Sequence, residues 1–317
     1  MRYPLHPDLR FHNYATYLRR RIGEAAVRIS VDAGFTCPNR DGTLGTGGCL
    51  YCNNEAFTPG ILYPGLPVEE QVLRTIHSPG RHRSSRRLLV YFQKYTNSYA
   101  PPEELDRIYR SAFCHPDVAG IVIGTRPDCL GPAALDLLEE IARDRYVSVE
   151  IGLQSVSDEV LARIGRGHTV ETFRAAVREL RRRGIDTGVH LIYGLPGDTR
   201  ENFLAAADLL SDLEVQGVKL HHFHVVAGSG YEKIWRNGGV PVPTYDEYLR
   251  ACVDFLERLS PEVAVLRLMG SAPDDLLLAP RWEKGSREMA QDVAAELLRR
   301  GTWQGIARER RGGGKRG

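Results

Sequence analysis

Three cysteines, Cys37, Cys49 and Cys52, crowd into the sixteen residues CPNRDGTLGTGGCLYC, with eleven residues between the first two and two between the last two. Thiolates grouped in this way suit zinc or an iron–sulfur cluster. A structural zinc site takes four protein ligands, usually in paired short-spaced groups. No fourth cysteine or histidine lies in this loop. A cubane cluster held by three thiolates instead leaves one iron open to a small molecule. Buried thiols with no ligand are the third reading. The other cysteines, Cys114, Cys129 and Cys252, are scattered, and Cys252 falls on an apolar helical stripe as a core residue would.

The rest of the composition fits a soluble globular protein of one or two domains. Of 317 residues, 42% are hydrophobic and 26% charged, as in ordinary globular proteins. No apolar run approaches the ~18 residues of a membrane span, and the N-terminus has no signal-peptide core, so a cytoplasmic protein with no membrane association is expected. Six unevenly spaced cysteines in that compartment do not read as a disulfide framework. The net charge of +2 is too small to indicate nucleic-acid binding by bulk. The tail 308–317, with five basic residues against one acidic, carries more than that excess, and a solvated flexible terminus explains it.

The elements that must position the cysteines recur as strand-then-helix units. Strand-like runs cover 26–32, 88–93, 120–125, 147–154, 187–193 and 217–224, mostly 30 to 40 residues apart, the size of a βαβ unit. Several alternate: Val147, Val149, Ile151 and Leu153 interleave with Ser148, Glu150, Gly152 and Gln154. A parallel sheet covered on both faces should be almost wholly apolar. Alternation with period two predicts instead an α/β fold whose sheet curves around a polar concave face, an incomplete (β/α)6 barrel, with a flat doubly wound sheet as the competing topology. The cysteine loop follows the first strand and so sits at the barrel's carboxyl end. The pattern predicts residues 1–235 as the barrel with its cofactor site. Residues 236–317 read as a small α+β C-terminal extension, where Thr244 and Glu247 form a capping box.

With its aromatic Tyr51 just before the last cysteine, the loop resembles the cluster motif of the radical S-adenosylmethionine (SAM) superfamily. CPNRDGTLGTGGCLYCN, YFQKYTNSYA, GTRPDCL, VEIGLQS, IGRGH, HLIYGLPGDT and KLHHFH, in that order, resemble the bacterial YhcC/YtqA-type members. Weaker resemblances run to the radical SAM domain of the Elongator catalytic subunit and to oxygen-independent coproporphyrinogen oxidase. The resemblance implies a partial barrel and a 4Fe–4S cluster on Cys37, Cys49 and Cys52. It also implies SAM bound at the open iron and cleaved by one electron to a 5′-deoxyadenosyl radical that takes hydrogen from substrate.

The resemblance also assigns cofactor contacts. Gln93 and Lys94 stand where the superfamily lines the methionyl amine site, usually with a glycine-rich turn that this chain replaces with FQKYT. Lys94 meets a carboxylate there or is a surface lysine. Thr125 and Arg126 follow the third strand, where Arg126 holds a carboxylate or phosphate, or braces its loop through Asp128. Glu150 and Gln154 share a polar face. Gln154 and Arg166, twelve residues apart, repeat a spacing at which the coproporphyrinogen oxidase family contacts SAM. His190 stands in place of that family's acidic SAM contact, and is as readily a core histidine. Pro196, in the turn GLPG, shapes a loop for adenine or only connects strand to helix. His221, His222 and His224 invite a metal reading, but neighbouring strand positions face opposite ways, which favours substrate contact or packing.

The Elongator relation implies chemistry on the wobble uridine of tRNA, such as reworking a carboxymethyl-type group. Acetyl transfer is not expected, since no acetyltransferase domain follows the barrel. A reducing partner of flavodoxin or ferredoxin type is implied. Arg81, Arg83, Arg86, Arg87 and Arg181–Arg183 would track phosphates, or form solvated faces. The alternatives are a radical SAM enzyme for a small metabolite or protein side chain, and a non-catalytic iron–sulfur redox sensor.

Overall fold

The computed structural model describes residues 5–78 and 87–313. Arg81, Arg83 and Arg86, and the end of the basic tail, lie outside them. In chain order the elements are α1 (Tyr14–Ile22), β1 (Ala26–Val31), α2 (Asn54–Phe57), α3 (Val68–Ile76), β2 (Arg87–Phe92), α4 (Pro102–Ser111) and β3 (Val118–Thr125). Then follow α5 (Pro132–Ala142), β4 (Tyr146–Gln154), α6 (Asp158–Arg163), α7 (Val170–Arg182), β5 (Asp186–Tyr193), α8 (Arg200–Asp212) and β6 (Gly217–His222). The chain closes with β7 (Val225–Val226), α9 (Gly230–Arg236), α10 (Tyr245–Arg258), β8 (Ala264–Arg267), β9 (Leu277–Ala279), α11 (Ser286–Arg300) and α12 (Ile306–Gly313).

Seven parallel strands form one curled sheet in the order β1-β2-β3-β4-β5-β6-β8, a partial barrel rather than a flat doubly wound sheet. The alternation read from the sequence is what bends it. Val147, Val149, Ile151 and Leu153 join the main core under the helices, while Ser148, Glu150 and Gln154 of the same strand face the lumen. Helix α7 shows the matching half of the packing, with Phe173, Val177 and Leu180 buried on one stripe.

The seventh strand comes from the predicted extension: β8 pairs in parallel with β6, so the extension builds part of the barrel wall. On the far side of β8, the Val265 N–H donates to the His12 carbonyl at 2.7 Å, and the N-terminal segment covers what would be an open sheet edge. From there α1 sends Tyr14, Tyr17, Leu18 and Ile22 against Leu89, Ala119 and Val122, plugging the lumen at the strands' amino ends. The lumen is thus closed below and open above. Helix α10 starts with the expected capping box at Thr244 and Glu247 and packs on α8 and α11, with Cys252 fully buried in its core stripe. The basic tail is helical as far as Gly313, where Arg308 pairs with Asp212 at 2.9 Å. No helix among the described residues is long and apolar enough to cross a membrane.

Candidate active site

At the carboxyl ends of the strands lies a cavity with about 1170 Å³ of empty space, its open mouth included. Cys37, Cys49 and Cys52 line it from the loop after β1, and none is in a disulfide. Short backbone bonds fix the loop: Arg40 N–H to the Cys37 carbonyl at 2.8 Å, Gly48 N–H to Asn39 at 2.7 Å, and Cys52 N–H to Cys49 at 2.8 Å. Three donors aim at the sulfurs. The Asn39 side-chain amide reaches Cys49 Sγ at 3.2 Å, Arg166 Nη1 reaches it at 3.7 Å, and the Asn54 amide reaches Cys52 Sγ at 3.7 Å. Donors around sulfur stabilise thiolate, the form that binds iron. Even so, burial and then the neighbouring Cys49 push the Cys52 thiol up to about 11, against the opposing pull of Arg40 and Arg166.

Among the described residues, no three His, Cys, Asp or Glu side chains are grouped as ligands of a metal ion. Three thiols spread along a cavity wall suit a polynuclear cluster, whose corners are apart, better than one zinc ion. The residues present fit that cluster, and the neighbouring groups fit SAM. Gln154 sits where β4 breaks register with β5, its backbone in the left-handed region at φ 75°. Gly152, two residues before, leaves room for Arg166, which donates to the Gly152 carbonyl at 2.8 Å. Among the described residues the Gln154 amide takes no hydrogen-bond partner, and it borders the cavity.

Gln93, Thr125, Arg126, Glu150, Gln154, Arg166 and His190 all line the same cavity as the cysteines. Gln93 is held by Ser30 at 2.9 Å and the Phe57 carbonyl at 2.9 Å, and Thr125 meets Ser98 at 2.6 Å. Arg126 is both brace and open cation. It clamps Asp128 through two bonds at 3.0 and 2.8 Å, yet its Nη1 is buried without a partner. Lys94 and Pro196 are not brought there. Lys94 is paired with Asp32 at 2.8 Å, because the turn after β2 points it at the end of β1. Pro196 belongs to the connection from β5 to α8 and does not line the cavity.

Glu150 and His190 serve a different arrangement from the one the resemblance implied. Glu150 is 1% exposed and carries four partners: Arg28, Tyr91 at 2.7 Å, His190 Nε2 at 2.7 Å and Lys219 at 2.8 Å. Burial alone would raise its pKa. Arg28 and Lys219 outweigh burial and hold the carboxyl well below the usual range. Burial, then Lys219, lowers His190 to about 4, and burial lowers Lys219 to about 8 against the pull of Glu150. This buried cluster ties β1, β2, β4, β5 and β6 together across the lumen. Sequence reasoning missed Arg28, Tyr91, Lys219 and Asn39. The polar positions of Arg28 and Lys219 within otherwise apolar strands were the available signal.

His221 faces Arg267 and His190, whereas His222 stacks on Trp282 at 4.0 Å and lies 5.2 Å from His224. The described basic runs are paired with carboxylates, Arg181 and Arg182 while still exposed. Arg181 pairs with Glu214, Arg182 with Glu179, Arg183 with Asp136 and Glu139, and Arg87 with Glu24.

Comparison with known proteins gives the same reading. Residues 39–210 match the radical SAM superfamily and residues 215–299 match the Radical_SAM C-terminal domain. YtqA of Bacillus subtilis is 34% identical over 301 residues, covering 94% of this chain and 92% of YtqA. A tRNA uridine(34) acetyltransferase of Dehalococcoides mccartyi is 28% identical over 182 residues, covering 56% of this chain and 38% of that protein. The solved archaeal Elp3 of Methanocaldococcus infernus superposes with a TM-score of 0.68 at 16% identity, over 88% of this chain and 64% of that one. With its cysteine loop, its partial barrel and a near full-length relative at this identity, the chain belongs to the radical SAM superfamily of enzymes, whose members use a 4Fe–4S cluster and SAM.

Proposed function

We propose that this radical SAM enzyme acts on the wobble uridine of tRNA, taking hydrogen from a carbon of the base or of a carboxymethyl-type group on it. One observation carries the reading. A single cavity holds the three cysteines, the Gln154–Arg166 pair and a polar wall on β5, β6 and β8, so cofactors and substrate would share one chamber. Cluster and SAM, when bound, supply one-electron chemistry able to break an unactivated C–H bond.

The chain's own residues do the rest. Cys37, Cys49 and Cys52 hold iron, with Asn39 and Arg166 tuning sulfur charge. Gln154 and Arg166 orient SAM. The plug from α1 keeps water out from below. The relation to a tRNA uridine(34) acetyltransferase supports tRNA as substrate. A flavodoxin- or ferredoxin-like donor would supply the electron, and both partners fit a cytoplasmic reaction.

The test is anoxic reconstitution with iron and sulfide, followed by SAM cleavage assays with and without total tRNA. Formation of 5′-deoxyadenosine that rises with tRNA, together with an altered wobble-uridine profile in a deletion strain, is the expected result. SAM cleavage with an unaltered profile would overturn tRNA in favour of a metabolite or protein side chain. A reduced-cluster EPR spectrum indifferent to SAM would return the protein to the redox-sensor class.

A further inference from the structure

The cations that line the cavity are nearly all engaged. Lys219 is bound to Glu150 at 2.8 Å, and Arg126 clamps Asp128. Arg40 donates to the Cys52 carbonyl at 3.2 Å, and Arg166 to the Gly152 carbonyl and Cys49. Arg267, at the end of β8, differs. Its Nη2 meets only the His221 ring, at 3.1 and 3.3 Å, and its Nε is buried with no partner. Among the described residues no carboxylate forms an ion pair with it, and Nη1 makes no hydrogen bond.

The carboxylate that acts on it, Glu150, is already bonded to Arg28 and Lys219, and its ring neighbours supply no charge. Burial first, and then Arg267 at His221 and His224 at His222, keeps these two rings well below the ordinary histidine pKa, with His224 lowered to about 4 by burial and then Arg267, so all three rings are neutral at pH 7. Burial lowers the Arg267 pKa too, but from a value so high that the guanidinium stays charged. Near it are imidazole nitrogens also without partners: Nδ1 of His222, and both ring nitrogens of His224, each residue 5% exposed and lining the cavity. A half-buried cation with no ion-paired carboxylate, beside buried unsatisfied ring nitrogens, is costly unless a ligand completes it.

We propose that Arg267 is the receptor for a carboxylate of the substrate, with His221 orienting its guanidinium and the neutral His222 and His224 bonding uncharged polar groups beside it. The planar guanidinium fork fits the two oxygens of a carboxylate, and phosphate, which the same fork also takes, is a competing outcome of the test. The inference rests on the cavity being the reaction chamber, and not on tRNA being what enters it.

The test compares acids with their neutral amides by equilibrium dialysis against the reconstituted protein. One pair is 5-carboxymethyluridine and 5-carbamoylmethyluridine; the other is indole-3-acetate and indole-3-acetamide. Each acid is expected to bind at least about tenfold more tightly than its amide, a difference of roughly 1.4 kcal/mol. Arg267→Met should abolish that preference, and Arg267→Lys, which keeps charge but loses the planar fork, should weaken it. Circular dichroism checks that the variants are folded, and if Arg267→Met is not, the Lys variant and the wild-type acid–amide ratio still decide. Preference in the uridine pair supports both the site and the wobble-uridine reading. Preference in the indole pair alone supports the site and overturns that reading. No preference in either pair, or a preference that survives in folded Arg267→Met, overturns the site. Displacement of the acids by inorganic phosphate at comparable concentration overturns the choice of carboxylate.

Discussion

Arg166 and Gln154 share the space that a side chain at position 152 would need: a Cβ built on Gly152 would lie 2.5 Å from Arg166 Nη2 and 2.5 Å from Gln154 Nε2. Both atoms are far ends of flexible side chains, so the fold can absorb Gly152→Ala by moving them. Binding should not, because in the proposed function those two groups orient SAM. Gly152→Ala is expected to keep its melting temperature within a few degrees while SAM affinity falls about tenfold, or 1.4 kcal/mol. Equilibrium binding of SAM to reconstituted protein measures this. Lys94→Met, which removes only the pair with Asp32 outside the cavity, should leave that affinity nearly unchanged.

Gln154 itself is held at φ 75°, a conformation that costs a side-chain-bearing residue about 1–3 kcal/mol. Gln154→Gly should therefore raise stability in urea titrations by about 1 kcal/mol while weakening SAM. A variant that loses stability would show that the amide's packing, and not its function, maintains the strained backbone.

Asn39 would act on the proposed cluster through sulfur. Its amide donates to Cys49 Sγ at 3.2 Å and is also anchored on the Gly165 carbonyl at 2.8 Å. Hydrogen bonds to cluster sulfurs raise the reduction potential. Asn39→Ala should bind a full complement of iron and shift the cluster to a more negative potential in an EPR-monitored redox titration, whereas Cys49→Ala should lose both iron and SAM cleavage. An unchanged potential in Asn39→Ala would mean that the bond only shapes the loop.

What was legible in the sequence is what local pattern encodes. Alternation along 147–154 gave the curved sheet, the spacing of Cys37, Cys49 and Cys52 gave three thiols on one cavity, and Thr244 with Glu247 gave a helix start. What was not legible depends on partners distant in the chain. Lys94 pairs with Asp32, 62 residues away, and Lys219 with Glu150, 69 residues away. Glu150 read as a cofactor contact because it shares the polar face of its strand with Gln154. Only the convergence of β1, β2, β5 and β6 shows that its charge is already used. Residues 263–268 read as a strand of the C-terminal extension, but their place as the seventh strand of the barrel depends on β6 and the His12–Asn13 segment lying on either side.

The Glu150 cluster makes stability depend on pH in a direction its groups fix. Glu150 titrates below its unfolded value of about 4.3, so its contribution is present above that pH and lost as pH falls through the lower folded value. His190 is lowered to about 4, so between pH 6.5 and 4 the unfolded chain binds a proton that the folded one refuses, and stability falls with acidification. His221, His222 and His224 add to the same limb. Lys219, lowered to about 8, works at the other end: from pH 8 towards 10 the folded state releases a proton that the unfolded chain keeps, and stability rises. From about pH 9 the thiols of Cys129 and Cys252, pushed up to about 12 by burial, oppose this gain, and buried Tyr91 adds to them above pH 10. Urea midpoints should thus fall steeply from pH 6.5 to 4, with no comparable gain on the alkaline side. His190→Gln should flatten part of the acid limb. Glu150→Gln, which leaves Arg28 and Lys219 buried without their counter-charge, should cost about 3–5 kcal/mol at neutral pH. A Glu150→Gln protein as stable as wild type would mean that the lumen is wet enough to screen those charges, and the unpaired charge on Arg267 would then carry far less weight as a sign of a missing ligand.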